Sequence, residues 1–254
     1  MEIWVATIIM TSLIISYYSF GIRLLRPISY SVAQRTLAFV SIPYVDWMGL
    51  WKLLGAIVFQ ALFAILLLLI LDVEYLSLIQ TFPGISDLVY GVSLGLGLLG
   101  TSSMLCFIVL KLAMNLFPVA DLSEKEDWSL LVQGGWMAEF KSSCRVVGRW
   151  GTLFLALLYI TTEELIFRGI IVTVAGSLGV LVAVALSSIL FTLAQLTVVT
   201  GWRSSLFPVT ASLVVGPVHA WLYANGFAFS ILLTSHVVLF SIPLFSDYTK
   251  PVMN

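Results

Sequence analysis

The sequence Thr161-Thr162-Glu163-Glu164-Leu165-Ile166-Phe167-Arg168-Gly169 places two adjacent carboxylates and an arginine inside an apolar run, residues 150–174, that holds no other charge. At bilayer depth, a lone ionisable side chain costs about 2.5–3.5 kcal/mol even on an insertion scale. On a helix, Glu164 and Arg168 lie one turn apart on the same face, whereas Glu163 points about 100° away. The pattern therefore predicts that Arg168 neutralises Glu164 while Glu163 faces a cavity.

A structural ion pair that fixes transmembrane helices together is the simpler explanation of these charges. An ion pair accounts for Glu164 and Arg168, but it does not explain the second carboxylate, Glu163. Ionisable residues inside a membrane span mark functional sites by default. The spare acid therefore favours a functional site over a structural pair.

The composition is that of a polytopic membrane protein. Of 254 residues, 60% are hydrophobic and 10% are charged, which excludes an ordinary soluble domain. The hydropathy pattern predicts an all-α membrane helix bundle of about seven transmembrane helices. Their predicted bounds are residues 3–20, 53–71, 88–110, 150–174, 178–199, 206–223 and 227–245. We expect a multi-pass protein of the plasma or inner membrane, in contact with the lipid bilayer.

The chain is expected to form one membrane domain in two parts. Residues 1–149 supply transmembrane helices and surface segments, with Pro27 and Pro43 ending helices in the first connection. A capping box at residues 123–126 and a Gly134-Gly135 break predict a short surface helix in the longest polar stretch. Residues 150–245 form the core that holds the site. No basic patch with interleaved aromatic residues is present, so nucleic acid is not an expected partner.

Two further patterns predict which helices approach one another. Gly91 and Gly95 have the GxxxG spacing that lets helix backbones pack closely in lipid. A helical hairpin turning near residue 177 brings Gln195 level with the glutamates, and a turn at Asn225-Gly226 brings His236 about one helical turn from His219. A lone glutamine or histidine in a transmembrane helix usually forms a hydrogen bond that holds two helices together. Beside the glutamate pair, they favour a shared polar site.

The motifs resemble those of the CPBP intramembrane proteases, the family of type II CAAX prenyl endopeptidases and bacteriocin-immunity (Abi) proteins. Residues 163–168 match the EExxxR motif of this family. Residues 191–195 resemble its FxxxH motif with Gln195 in the histidine place, and residues 236–240 resemble HxxxN with Phe240 in the asparagine place. The resemblance covers residues 150–244.

The resemblance implies an intramembrane endopeptidase that cuts a hydrophobic or membrane-associated peptide. Glu163 would activate water, Arg168 would hold Glu164, and Gln195 and His236 would stabilise the oxyanion of the tetrahedral intermediate. No cofactor and no metal are expected, because two carboxylates and one retained histidine fit poorly with the usual zinc site of three protein ligands.

Two other functions stay open at this point. Because Gln195 and Phe240 replace the expected histidine and asparagine, the chain could be a catalytically impaired relative that binds membrane peptides, as a scaffold or immunity-type protein. A proton-coupled carrier that uses one of the glutamates is the third possibility, and it lacks the inverted repeat typical of carriers. The sequence does not predict the substrate or the oligomeric state.

Overall fold

The computed structural model describes residues 2–73, 84–116, 137–198 and 202–246, and these residues form helices joined by turns. We number the helices α1 Ile3–Ser16, α2 Ile22–Leu37, α3 Tyr44–Leu71, α4 Ile85–Leu116, α5 Met137–Glu164, α6 Ile171–Gly176, α7 Val180–Val198, α8 Trp202–Ala224 and α9 Phe229–Ser246. Two π-helical segments, Tyr17–Gly21 and Leu165–Ile170, join α1 to α2 and α5 to α6 without a break. The predicted all-α class is confirmed.

Helix length and composition agree with an integral membrane protein. Among the described residues, five helical stretches are long and apolar enough to cross a bilayer: Ile3–Phe39, Tyr44–Leu71, Ile85–Leu116, Val180–Thr197 and Ser205–Ala224. The shorter α9 is apolar over Phe229–Ile242. Large apolar side chains lie on the outside of the bundle, as a lipid environment permits. The predicted membrane helix bundle is therefore confirmed.

The first helical stretch is longer than its sequence predicted. We expected a span ending at residue 20 and a break at Pro27, whereas Pro27 lies inside α2 and the helix ends at Leu37. The π-helical turn before it keeps the backbone continuous, and prolines are tolerated in membrane helices because neighbouring groups satisfy the freed carbonyls. Pro43 does mark a helix boundary, since it is the residue just before α3. The predicted surface helix near residues 123–135 lies outside the described residues.

A glycine divides α5 into two parts. Gly148 has φ of 74° and ψ of 174°, a conformation that side chains with a Cβ rarely adopt. The part before it packs on α3, where the exposed Arg145 guanidinium bonds the buried Asp46 carboxylate at 2.7 Å. The part after it corresponds to the predicted fourth span and ends at the glutamate pair.

Helix α9 is held between α4 and α5, and its contact with α4 is very close. A Cβ placed on Gly91 would lie 2.6 Å from the Thr234 Cβ, and one placed on Gly95 would lie 2.6 Å from the Ser235 carbonyl oxygen. The close approach predicted from the GxxxG spacing is thus present. It sets the position of the α9 segment that contains His236.

Candidate active site

The two glutamates and the arginine lie at the junction of α5 and the second π-helical segment. Glu163 and Glu164 are the last two residues of α5, and Arg168 lies in the Leu165–Ile170 segment. Glu163 is 1% exposed, and Glu164 and Arg168 are 0% exposed. The Arg168 Nε lies 3.4 Å from the Glu164 Oε2, as the four-residue spacing predicted. Single π-helical turns inside α-helices occur frequently at functional sites.

The Arg168 guanidinium is balanced by an aromatic ring as well as by Glu164. Its Cζ lies 4.1 Å from the centroid of the Phe191 ring, and a buried cation gains about 2 kcal/mol or more from such a ring. Its nitrogens have no hydrogen-bond partner among the described residues. Phe191 is the phenylalanine of the FxxxH-like motif, so the structure gives this motif position a contact that the sequence did not reveal.

Both histidines converge on one oxygen of Glu164. The Nδ1 atoms of His219 and His236 lie 3.1 Å and 2.6 Å from Glu164 Oε1. An ionised carboxylate can only accept hydrogen bonds, so Nδ1 is the donor in both rings. The Nε2 of His219 in turn meets the Ser235 hydroxyl at 2.8 Å. Glu164 Oε1 therefore accepts two hydrogen bonds, whereas Oε2 has the ion pair with Arg168 and no hydrogen bond among the described residues.

Glu163 points away from this cluster into a small cavity. The Gln195 side-chain amide donates to Glu163 Oε1 at 3.1 Å, and His236 Nε2 lies 3.8 Å from Glu163 Oε2. The cavity measures about 20 Å³, which is room for one water molecule. Its walls come from α5, α7, α8 and α9: Tyr159, Glu163, Phe191, Gln195, Pro208, Ala211, Ser212, Val215, His236, Leu239 and Phe240.

The structure brings together all five residues that the sequence singled out, Glu163, Glu164, Arg168, Gln195 and His236. Phe240, in the place where the family has asparagine, packs its ring 5.3 Å from the His236 ring and 5.5 Å from the Phe140 ring. It is an apolar wall of the cavity.

Three polar residues at the site escaped the sequence analysis: Tyr159, Ser212 and Ser235. Tyr159 carried a usable signal, because it lies four residues before Glu163 and hence on the same helix face. Ser235 is adjacent to His236, about 100° further around α9, and its hydroxyl meets His219. No sequence pattern indicated Ser212.

A metal ion is one chemical alternative for the histidine cluster. Glu164, His219 and His236 offer ligand atoms that lie within 4.8 Å of one another. However, both imidazoles direct Nδ1 at the same carboxylate oxygen, and the Arg168 cation lies beside the other oxygen. The two Nδ1 atoms and Glu164 Oε1 are thus already in hydrogen bonds, and an added divalent cation would meet the charge of Arg168.

Comparison with known protein families supports the resemblance that the sequence motifs indicated. Residues 146–239 match the family described as type II CAAX prenyl endopeptidase, Rce1-like. No curated protein and no solved structure matches the chain. The matched stretch runs from just before Gly148 to just past His236, and it contains both glutamates, Arg168 and Gln195. Over residues 146–239 this chain is therefore similar to the type II CAAX prenyl endopeptidases, as its resemblance to the CPBP intramembrane proteases implied.

Proposed function

We propose that this protein is an intramembrane endopeptidase in which Glu163 activates a water molecule toward a peptide bond. The proposal rests on the different surroundings of the two glutamate carboxylates. Glu164 is held by Arg168 and two imidazoles, whereas Glu163 lines a cavity with room for one water. A carboxylate beside a confined water is the arrangement that general-base catalysis requires.

The proposed hydrolysis needs one water molecule and one group, Glu163, that takes a proton and later returns it. A lone pair of the water oxygen forms a bond to the peptide carbonyl carbon, the carbonyl π electrons move to its oxygen, and Glu163 takes the proton. When the tetrahedral intermediate collapses, the C=O bond forms again and the C–N bond breaks. The leaving nitrogen then receives the proton from Glu163. His236 Nε2 lies 3.8 Å from Glu163 Oε2 and lines the same cavity, so this ring nitrogen can hydrogen-bond the water that Glu163 activates.

The family match and the surroundings of the site support a hydrophobic or membrane-associated peptide as the substrate class. The site is buried within helices that suit a bilayer, so a substrate must reach it along apolar surface. The matching family is named for prenylated peptides that end in a CAAX sequence. We therefore take a farnesylated Cys-aliphatic-aliphatic-X peptide as the first probe of activity, with an unprenylated copy beside it.

Replacing Glu163 tests the proposal directly. Glu163→Gln should abolish cleavage of the farnesylated peptide by purified protein, since glutamine cannot take the proton. The variant should keep its fold, because the glutamine carbonyl oxygen still accepts the Gln195 amide. Cleavage is measured by the release of a fluorophore from the peptide, and folding by the midpoint of thermal unfolding.

Glu139→Gln is the matched control. Glu139 is in the same helix, before Gly148, and pairs with Lys52 at 3.8 Å rather than lining the cavity. This variant should cleave at the wild-type rate. Wild-type turnover in Glu163→Gln would remove Glu163 from the mechanism.

One observation favours a second function, binding without cleavage. Phe240 puts an aromatic ring against His236 in the place where the family has an amide donor, so the site has less polar support for an intermediate. A wild type that binds the farnesylated peptide and releases no fragment would establish this second function and exclude the first.

A further inference from the structure

The oxyanion of the intermediate needs hydrogen-bond donors, and the histidines expected to supply them already form other hydrogen bonds. His219 is bonded through both ring nitrogens, to Glu164 and to Ser235. His236 donates from Nδ1 to Glu164 at 2.6 Å, and its Nε2 faces the Glu163 carboxylate at 3.8 Å. Phe240 has no polar hydrogen. Of the two HxxxN positions, 236 is therefore engaged with the glutamates and 240 has no polar hydrogen to donate.

Three other polar side chains line the cavity, and they differ in what they can donate. Gln195 uses one amide hydrogen on Glu163 and keeps the second. The Ser212 hydroxyl is engaged with the Val209 carbonyl at 2.7 Å and with the Thr192 hydroxyl at 3.2 Å. No hydrogen bond joins the Tyr159 hydroxyl to another described residue. Tyr159 is therefore a cavity residue with an uncommitted O–H donor.

The Tyr159 ring is also held in place. It packs edge-on against Phe140, with the ring centroids 6.1 Å apart and the planes at 81°. Tyr159 precedes Glu163 by one helical turn, so the two residues line the same cavity from one helix face. Donors that are fixed before the reaction stabilise developing charge most effectively.

We infer that Tyr159 is a catalytic residue whose hydroxyl donates a hydrogen bond to the oxyanion. It thereby takes the role that the asparagine of HxxxN has in the family. The second donor is the free amide hydrogen of Gln195. No proton is transferred from Tyr159, since the hydrogen bond forms when the carbonyl oxygen gains charge and weakens when the C=O bond is restored. The inference rests on the proposed endopeptidase function.

The first test compares Tyr159→Phe with wild type on the farnesylated peptide. Removal of one oxyanion donor should lower kcat by about 100–1000-fold and leave KM unchanged, because the hydrogen bond exists only in the transition state. Phenylalanine keeps the ring and its packing on Phe140, so the midpoint of thermal unfolding should stay the same.

Tyr18→Phe is the matched control. Tyr18 is a buried tyrosine whose ring lies 5.6 Å from the Phe167 ring, and its hydroxyl accepts from the Gln60 amide at 3.5 Å. It does not line the cavity, so its variant should keep the wild-type kcat. An equal fall of kcat in both variants, together with lower unfolding midpoints, would make Tyr159 a structural residue and overturn the inference.

A binding measurement separates transition-state stabilisation from substrate binding. The probe is a farnesylated peptide with a phosphinate in place of the scissile amide, which presents a tetrahedral anion. Tyr159→Phe should bind this probe about 100–1000-fold more weakly than wild type does. The amide peptide should bind equally to Glu163→Gln and to the double variant Glu163→Gln with Tyr159→Phe.

The role of Tyr159 and the proposed endopeptidase function can fail separately in these experiments. If wild type does not cleave the peptide, the endopeptidase function fails and the role of Tyr159 fails with it. If wild type cleaves, Glu163→Gln does not, and Tyr159→Phe has the wild-type kcat and phosphinate affinity, the function stands and the role of Tyr159 is overturned.

Discussion

Arg168 shows how a single residue can be essential to a membrane site without touching a substrate. It is fully buried, and it is stabilised by the Glu164 carboxylate at 3.4 Å and the Phe191 ring at 4.1 Å. An ion pair in a low-dielectric interior adds little net stability compared with apolar residues, yet removal of one partner leaves a costly uncompensated charge. The value of Arg168 therefore lies in keeping Glu164 ionised where two imidazoles need an acceptor.

The pairing can be measured with a double-mutant cycle. Arg168→Gln should lower stability by about 3–5 kcal/mol, since it strands the Glu164 carboxylate. Combining it with Glu164→Gln should recover part of that loss, although two hydrogen bonds from the histidines are then weakened. The measurement is the free energy of unfolding in detergent micelles. Additive effects of the two single changes would show that the residues are not coupled.

Sequence spacing was enough to predict some of these residue contacts. The Glu164–Arg168 pair follows from helix geometry, and the depth of Gln195 and His236 follows from counting back from two turns. Spacing does not predict how far each helix is rotated about its own axis. The contacts that depend on rotation, such as Ser235 with His219 and Phe191 with Arg168, could be identified only from the folded structure.

Helix α9 is the element on which the site geometry depends most. It presents His236 to both glutamates, and Ser235 to His219. Its other side packs so closely on α4 that only glycine fits at positions 91 and 95. The bounds of α7, α8 and α9 lie within a few residues of their predictions, and turns lie before α7 and between α8 and α9. The first stretch is longer than predicted because Pro27 lies inside α2 and does not end it.

Gly95→Ala should disturb the site from a distance. Its Cβ would lie 2.6 Å from the Ser235 carbonyl oxygen, so α9 must shift, and overpacking of this kind costs about 1–3 kcal/mol. We expect a lower unfolding midpoint and a lower kcat on the farnesylated peptide.

Gly97→Ala is the control for this change, because a Cβ there meets nothing within 4 Å. It should keep full activity and gain up to about 1 kcal/mol from the better helix propensity of alanine. Equal behaviour of the two variants would contradict the importance of the close contact between α4 and α9.

For the molecule as a whole, Glu164 is the point at which three helices meet. It ends α5 and receives hydrogen bonds from His219 of α8 and His236 of α9. In many proteins a metal ion joins elements in this way and supplies stability directly. Here a carboxylate that is balanced by Arg168 takes that role.

Removal of divalent metals should therefore leave the protein unchanged. After dialysis against EDTA, we expect the same unfolding midpoint and the same rate of peptide cleavage as before. Metal content is measured by elemental analysis of both samples. A loss of stability or activity on chelation that zinc restores would instead assign Glu164, His219 and His236 as metal ligands.

The order in which the chain is synthesised gives the buried carboxylates a further consequence. The residues that satisfy them come later: Gln195 follows Glu163 by 32 residues, and His219 and His236 follow Glu164 by 55 and 72. While the ribosome is still adding α7 to α9, the Glu163–Arg168 segment has few of its final partners, and entry into lipid would be costly. This segment must wait in the polar environment of the insertion machinery until α9 has been made, so translation arrested before residue 236 should leave the nascent chain bound there.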